Sequence, residues 1–282
     1  MPLDYSQYAD IDYSEPTQQY GPGPVMQWLR GAERPPLPGK FYLRERDFGR
    51  TAPAAPFVAD EVFDGEGGYT ASVARMLVIG TRKTVYIPTI VKYNGRDQRR
   101  KEWLPHWKPE LREKGGKILT EALVLVEGVG DPVVFQVSGM NGMEFDKALR
   151  RFRAELIGPV SMKARAVIGR PLPTFAFWMP LSGLTPKGKP NVVKIEAFGS
   201  FATPPLLDLP DIDIAGVDEW AEQLAAPGGM VAFAAELAKE HEGWLKSNRY
   251  LDREARLGSP AAEPSEPSAW GADDLPPDLD VA

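Results

Sequence analysis

Residues 69–91, YTASVARMLVIGTRKTVYIPTIV, carry the clearest secondary-structure pattern in the chain. Apolar residues alternate over the first half of this stretch, at Tyr69, Ala71, Val73, Leu77 and Ile79. Such a period of two is typical of a half-buried strand, and only Arg75 interrupts it. The β-branched residues of 83–91 predict a second strand after a brief turn. We therefore expect residues 69–91 to form a β-hairpin.

Short β patterns recur on both sides of this stretch. The predicted strands lie at 40–45, 56–63, 118–128, 132–139, 173–181 and 191–199. Strands that follow one another with turns between them favour antiparallel pairing over alternating βαβ units. We therefore predict a mainly β (α+β) fold, an OB-like antiparallel barrel with peripheral and C-terminal helices.

Helices are predicted at three places. The helix at 142–157 begins with a capping box formed by Asn141 and Glu144. Its predicted buried stripe is Phe145, Leu149, Phe152 and Leu156. Near the C-terminus we predict a short helix at about 217–226 and a longer one at about 230–256. The apolar stripe predicted for the longer helix is Met230, Phe233, Leu237, His241, Trp244 and Leu251.

Composition and charge divide the 282 residues into segments. Residues 1–29 contain four acids and no base, and residues 258–282 contain six acids and no base. The middle of the chain is therefore mildly basic although the whole chain has a net charge of −6. We predict four segments. Residues 1–24 are a disordered acidic Tyr-rich N-terminus, and residues 25–216 are an OB-like nucleic-acid-binding core with an inserted helix. Residues 217–257 are a C-terminal helical appendage, and residues 258–282 are a disordered acidic tail.

Several classes of protein are disfavoured. No apolar run is long enough to span a membrane, and the absence of cysteine excludes disulfides and thiolate sites. The chain has two histidines and no phosphate-binding GxxxxGK[ST] loop, so we predict no cofactor and no enzyme activity. A Mg²⁺-dependent nuclease using Asp208, Asp211 and Asp213 is the remaining catalytic alternative, and a solvated loop is the other reading of those carboxylates.

The segment 82–117 combines bases with aromatic rings. It contains eleven Lys or Arg against four acids. Cations neutralise phosphates and aromatic faces stack on unpaired bases, so this composition predicts a loop or extended hairpin that binds a single nucleic-acid strand. The predicted phosphate contacts are Arg82, Lys83, Lys92, Arg96, Arg99, Arg100, Lys101 and Lys108, joined by the helical Lys147, Arg150 and Arg151. The predicted stacking residues are Tyr86, Tyr93, Trp103 and Trp107. Alternatively, the two tryptophans anchor the loop and the charges are merely solvated.

The C-terminal sequence WGADDLPPDLDVA, residues 270–282, resembles the acidic tip of bacterial and phage single-stranded DNA-binding proteins. Those proteins join an OB barrel to a flexible linker and an Asp-rich peptide, and Asp273, Asp274, Leu275 and Pro276 match the DDLP part of that peptide. The family's tip ends in Phe, whereas this chain continues to Val281 and Ala282. The resemblance implies that the tail binds replication or recombination proteins, and the partner-binding residues we assign are Trp270, Asp273, Asp274, Leu275, Pro276, Asp278, Leu279 and Asp280.

We therefore predict a cytoplasmic, sequence-tolerant single-stranded DNA-binding protein of a phage or mobile element, active in replication or recombination. The sequence leaves both a monomer and a homo-oligomer open. Its acidic tail would compete with DNA for the basic segment, because the two are oppositely charged and joined in one chain. The alternative is a non-catalytic protein-interaction or virion-associated module whose basic segment meets an acidic protein or duplex DNA.

Overall fold

The fold is built around a strongly curled, antiparallel-rich sheet accompanied by several helices. The computed structural model describes residues 23–29, 40–48, 52–63, 66–93, 96–182, 193–194, 202–203 and 216–252. The chain divides into two compact units, one formed by residues up to Thr81 with Thr120–Leu245 and the other by Arg82–Leu119 with residues from Lys246 onward. This mixed architecture agrees with the predicted α+β class.

Nine strands share the main sheet of the described residues. They are β1 Val25–Leu29, β2 Lys40–Arg44, β3 Val58–Phe63, β4 Glu66–Ala71, β5 Val73–Tyr93, β6 Arg96–Leu104, β7 Lys117–Val126, β8 Val133–Ser138 and β9 Met179–Ser182. Their order is β3-β4-β2-β1-β8-β7-β5-β6, and β9 pairs with the first residues of β5. The β1–β8 pair is parallel, whereas β1–β2, β2–β4, β3–β4, β5–β6 and β5–β9 are antiparallel. Two short strands, β10 Val193–Lys194 and β11 Ala202–Thr203, pair separately.

The hairpin predicted within 69–91 is wrong, because β5 runs without a turn through 21 residues. Gly80 lies where the turn was expected. A Cβ atom at this position would come within 2.7 Å of the Leu245 side chain, so the glycine permits close packing inside a continuous strand. The distal half of β5 instead forms a hairpin with β6.

The hydrophobic core of the first unit contains side chains from β1, β2, β5, β7, β8 and β9. Aromatic side chains of β1, β2 and β8 contact one another there, with ring centroids 4.8 Å apart for Trp28 and Phe41 and 5.7 Å apart for Phe41 and Phe135. Helix α1, Gly139–Phe152, follows β8 directly and places Phe145 5.3 Å from Phe135. The predicted stripe is confirmed, because all four of its side chains are buried: Phe145, Leu149, Phe152 and Leu156.

The predicted limits of this helix are wrong at both ends. Ser138 occupies the N-cap position, and Asn141 lies inside the first turn with its side chain buried, so Asn141 and Glu144 do not form the capping box. At the other end the chain continues through a π-helical turn, Arg153–Ile157, into α2, Gly158–Ile168. Pro159 lacks the N–H that an α-helix needs at this point, which explains the wider turn before it.

Two C-terminal helices, α3 Val217–Leu224 and α4 Gly228–Glu240, contribute to the same core. A third, α5 Glu242–Lys246, has no buried residue. Val217, Leu224 and Val231 are part of the main hydrophobic cluster of the first unit. No helix among the described residues is long and apolar enough to cross a membrane.

The apolar stripe predicted for 230–256 is only partly right. The helix breaks at His241, and Phe233 and Leu251 are 41% and 50% exposed. The buried side of α4 consists of smaller side chains, Val231, Ala234, Ala235 and Leu237. Small residues allow a helix to pack closely against its neighbours, whereas the prediction gave more weight to large side chains.

Several predicted segments lie outside the described residues. They are the N-terminal segment up to residue 22, most of the strand predicted at 191–199, and the acidic tail at 258–282.

Candidate nucleic-acid interface

A two-stranded ribbon dominates the described part of the second unit. Residues 85–93 of β5 pair antiparallel with β6, in a register that places Val85 opposite Leu104 and Tyr93 opposite Arg96. Thr89 strengthens the pair, because its hydroxyl donates a hydrogen bond to the Arg100 carbonyl at 3.3 Å. Of the two forms predicted for the basic segment, a loop or an extended hairpin, the structure has the hairpin.

The segment after β6 is held in shape by its own backbone. A 3₁₀ turn, Pro109–Leu111, is closed by a hydrogen bond of 3.0 Å from the Leu111 N–H to the Lys108 carbonyl. The Gly116 N–H then donates to the Leu111 carbonyl at 2.6 Å, and the Leu111 side chain is buried. This anchor leaves His106, Trp107 and Lys108 exposed before the turn.

The base of the hairpin is buried, which corrects two predicted contacts. Arg82 is 6% exposed, and its guanidinium Nη1 donates to the Asp252 carboxylate at 2.8 Å. Tyr86 is 3% exposed and packs against Trp103, with 5.6 Å between ring centroids. Neither side chain can present its polar or aromatic surface to a phosphate or a base, because the fold of the unit already occupies that surface.

Trp103 is half-buried in a cluster of rings and cations. The Arg249 guanidinium lies 5.1 Å from the centre of its ring, and the Lys101 ammonium lies 5.9 Å from the same point. The Lys101 ammonium is also 5.3 Å from the Tyr86 ring. Trp103 therefore acts partly as an anchor, which agrees for this residue with the alternative prediction that the tryptophans anchor the segment. Its ring also contacts two cations.

The remaining predicted contacts of this segment are accessible where their side chains are described. Trp107 is 39% exposed, so part of its indole can be reached from solvent. The exposed cations predicted to bind phosphate are Lys83, Lys92, Arg100 and Lys108. Tyr93, Arg96 and Arg99 belong to the ribbon by their backbone, and their side chains lie outside the described part.

The helical cations belong to α1 in the first unit. The Lys147 ammonium is 3.7 Å from the Glu144 carboxylate, and the Arg151 Nε donates to Glu155 at 2.9 Å. Arg150 is exposed, and its Nε donates to the Asp146 carbonyl at 3.3 Å. Acidic neighbours thus partly neutralise two of the three predicted contacts.

Arg249 is a candidate binding residue that was not predicted from the sequence. Its position depends on the C-terminal segment returning to the hairpin, where the Arg249 N–H donates to the Thr84 hydroxyl at 3.0 Å across 165 residues of chain. A contact of such long range leaves no periodicity or motif by which the sequence could reveal it.

The first unit contains a cleft of about 430 Å³. Its floor is mainly apolar, and the paired Arg75 and Glu127 stand at its edge with 3.6 Å between guanidinium and carboxylate. This volume falls in the usual range of small-ligand pockets, but the pairing of its two charged groups leaves the cleft no net charge with which to attract a polyanion.

No candidate metal centre occurs in the ranges that the structure describes, since no three His, Asp or Glu side chains converge there. Asp208, Asp211 and Asp213 lie outside those ranges, as do all the partner-binding tail residues: Trp270, Asp273, Asp274, Leu275, Pro276, Asp278, Leu279 and Asp280. In comparisons with known proteins, no family model, no curated protein and no solved structure matches the chain.

Proposed function

We propose that the second unit binds single-stranded DNA without strong sequence preference. The observation that carries this function is the β5–β6 ribbon with its exposed cations Lys92 and Arg100. Two further exposed cations flank the ribbon, Lys83 before it and Lys108 after it. Phosphates neutralised by these groups release counterions, which makes binding favourable and dependent on salt.

Trp107 supplies the base contact in this function. It is the exposed indole of the segment and is adjacent in sequence to Lys108 and His106, both also exposed. A base stacked on an accessible indole contributes about 1–3 kcal/mol whatever its identity, which accounts for tolerance of sequence. A cation and a ring in adjacent positions can serve a phosphate and a base of the same strand.

Three further features belong to the same proposal. The curled sheet resembles an OB barrel in two respects, its curvature and its long inter-strand hairpin. It differs from that fold in strand number, because it has nine strands among the described residues and the OB fold has five. The acidic tail acts as a tethered competitor for the ribbon and as a binding site for replication or recombination proteins. A cytoplasmic location follows from a DNA substrate of phage or mobile-element origin.

A salt-titrated binding curve tests this function directly. The full chain is mixed with oligo-dT, and binding is followed by anisotropy of a dye on the DNA and by quenching of tryptophan emission. The double variant Lys92→Gln/Arg100→Gln should lower the slope of log K against log salt by about 0.7 for each phosphate that the variant no longer neutralises. Arg46→Gln, which removes one exposed cation from the first unit, is a single-charge control and should leave the curve unchanged. Equal slopes for the wild type and the double variant contradict the proposed site.

A protein-interaction role is the alternative that one observation favours. Ile90 and Val91, near the end of β5, are 70% and 38% exposed. Exposed aliphatic side chains beside cations suit an acidic protein partner, and a two-stranded ribbon also fits the major groove of duplex DNA. The same titration with duplex DNA separates these alternatives. A preference for duplex DNA would favour duplex binding over single-strand binding, and no binding to either DNA would favour the protein-interaction role.

A further inference from the structure

Two cations share one indole in the second unit. The Arg249 guanidinium and the Lys101 ammonium both lie within about 6 Å of the Trp103 ring centre, the range in which a cation is attracted to an aromatic face. The ring therefore holds two positive groups in one small region of the surface. The two cations repel each other. An anion bound beside them would be attracted to both and would offset this repulsion.

Arg249 is held in this position from two sides. Its N–H donates to the Thr84 hydroxyl at 3.0 Å, which ties its backbone to β5. Asp252, at the end of the same short helical segment, accepts a hydrogen bond from the buried Arg82 at 2.8 Å and another from the Ser247 hydroxyl. The guanidinium is thus placed over Trp103 before any ligand arrives, and a group that is already ordered loses less entropy on binding.

We infer that Arg249 binds a phosphodiester of the DNA strand and that Asp252 positions it. This inference rests on the proposed function and extends the site to the C-terminal segment. A guanidinium stacked on an aromatic face keeps its N–H groups at the edge of its plane, where they can donate two parallel hydrogen bonds to a phosphate. Lysine at the same place would keep the charge but not the planar fork.

Substitution of Arg249 tests the phosphate contact. Arg249→Gln in the full chain should weaken oligo-dT binding about tenfold and lower the salt slope by about 0.7, the effect of one phosphate contact on a single strand. Arg249→Lys should keep the slope but recover only part of the affinity. An unchanged slope for Arg249→Gln overturns the assignment, and so does tighter binding, which would mean that Arg249 covers Trp103 against the DNA.

The variant Asp252→Asn distinguishes two explanations, because they predict opposite changes in DNA affinity. Asp252→Asn removes a negative charge, so long-range electrostatics alone would make DNA binding tighter. If Asp252 positions Arg249 through Arg82, binding becomes weaker instead, and adding Arg249→Gln to Asp252→Asn causes little further loss. Tighter binding by Asp252→Asn overturns the positioning role. A far-UV circular dichroism melt confirms that the variants compared are folded.

Failure of this inference is distinguishable from failure of the proposed function. If the wild type does not bind oligo-dT, the single-strand function is wrong and the role of Arg249 falls with it. If the wild type binds and Lys92→Gln/Arg100→Gln lowers the slope while Arg249→Gln does not, the ribbon binds DNA and only the role of Arg249 is wrong.

Discussion

Arg82 and Asp252 form an ion pair of 2.8 Å although 170 residues separate them in the chain. The Arg82 side chain is 5% exposed and that of Asp252 is 33% exposed, so the pair lies at the edge of the interior of the second unit. A charge as buried as that of Arg82 is costly unless it is compensated. The pair therefore joins the C-terminal segment to the base of the β5–β6 ribbon.

The Arg82–Asp252 pair should stabilise the second unit measurably. Asp252→Asn leaves the buried guanidinium without its carboxylate and should lower the free energy of unfolding by about 2 kcal/mol, less than for a fully buried pair because Asp252 is partly exposed. Arg82→Met should cost a similar amount. The double variant should cost less than the two single changes added together, since the partners interact directly. Urea unfolding followed by circular dichroism measures all three.

The Arg82 and Asp252 variants form a double-mutant cycle, and a control cycle uses the ion pair of Lys163 and Asp218. The side chains of this pair are 52% and 68% exposed. Exposed pairs contribute about 0–1 kcal/mol, so the coupling energy of Lys163→Met and Asp218→Asn should be close to zero. Equal coupling in the two cycles would show that burial does not strengthen the Arg82–Asp252 contact.

Much of the strand content could be predicted from the sequence, because alternation of side chains is a local signal. The continuity of β5 could not, because Gly80 is a turn residue by local preference and a packing residue in the structure. The decisive neighbour, Leu245, lies far along the chain and leaves no trace near Gly80. The small buried side chains of α4, such as Ala234, were missed for a similar reason.

The candidate site was predictable in composition but not in detail. A count of bases and rings locates the segment, yet it cannot tell the buried Tyr86 from the exposed Trp107. That difference arises in the folded unit, where Tyr86 pairs with Trp103 across the ribbon. Arg82 looks like its neighbour Lys83 in the sequence, but its contact with the distant Asp252 makes it a structural residue.

The two tryptophans of the basic segment should behave differently on substitution. Trp107→Ala should weaken oligo-dT binding by about 1–3 kcal/mol, and its effect on the free energy of unfolding should stay within about 0.5 kcal/mol because the side chain is exposed. Trp103→Ala should lower that free energy by about 2 kcal/mol, since Trp103 packs on Tyr86 and Arg249. Titration with DNA and urea unfolding give both quantities. Full DNA affinity in Trp107→Ala would exclude stacking at this position.

The buried Gln136–Glu121 hydrogen bond should contribute to the stability of the first unit. The Gln136 amide donates to the Glu121 carboxylate at 3.0 Å, and the two residues are 7% and 1% exposed. Gln136→Leu removes a donor to a buried carboxylate and should cost about 1.5–3 kcal/mol. The control is Gln223→Leu on α3, where an exposed Gln223 amide donates to Glu219 at 3.4 Å and the cost should be near zero. Equal costs in urea unfolding would mean that the buried bond has no special role.

Removal of the acidic tail should strengthen DNA binding. Truncation after Gly258 deletes six acids and no base, so it removes a tethered competitor for the exposed cations of the ribbon. The gain should be several-fold at low salt and should vanish near 1 M salt, where the Debye length is about 3 Å. A full-length variant with the six acids changed to Asn or Gln should match the truncation. Unchanged affinity in both proteins at low salt would show that the tail does not compete.

The pair of Lys40 and Asp60 should make the stability of the first unit depend on pH in the acid range. A hydrogen bond from the Lys40 ammonium at 3.0 Å lowers the pKa of Asp60 below its ordinary 3.8, with help from the Thr70 hydroxyl and against the effect of burial. Because the folded pKa is the lower one, the stabilisation is fully present above pH 3.8 and is lost as the pH falls through the folded pKa. Lys40→Met should therefore cost up to about 1 kcal/mol at neutral pH and less below pH 3.8, whereas Lys40→Arg should keep the wild-type profile. Urea unfolding at a series of pH values measures this, and a cost of Lys40→Met that stays constant into the acid range would rule out the linkage to Asp60.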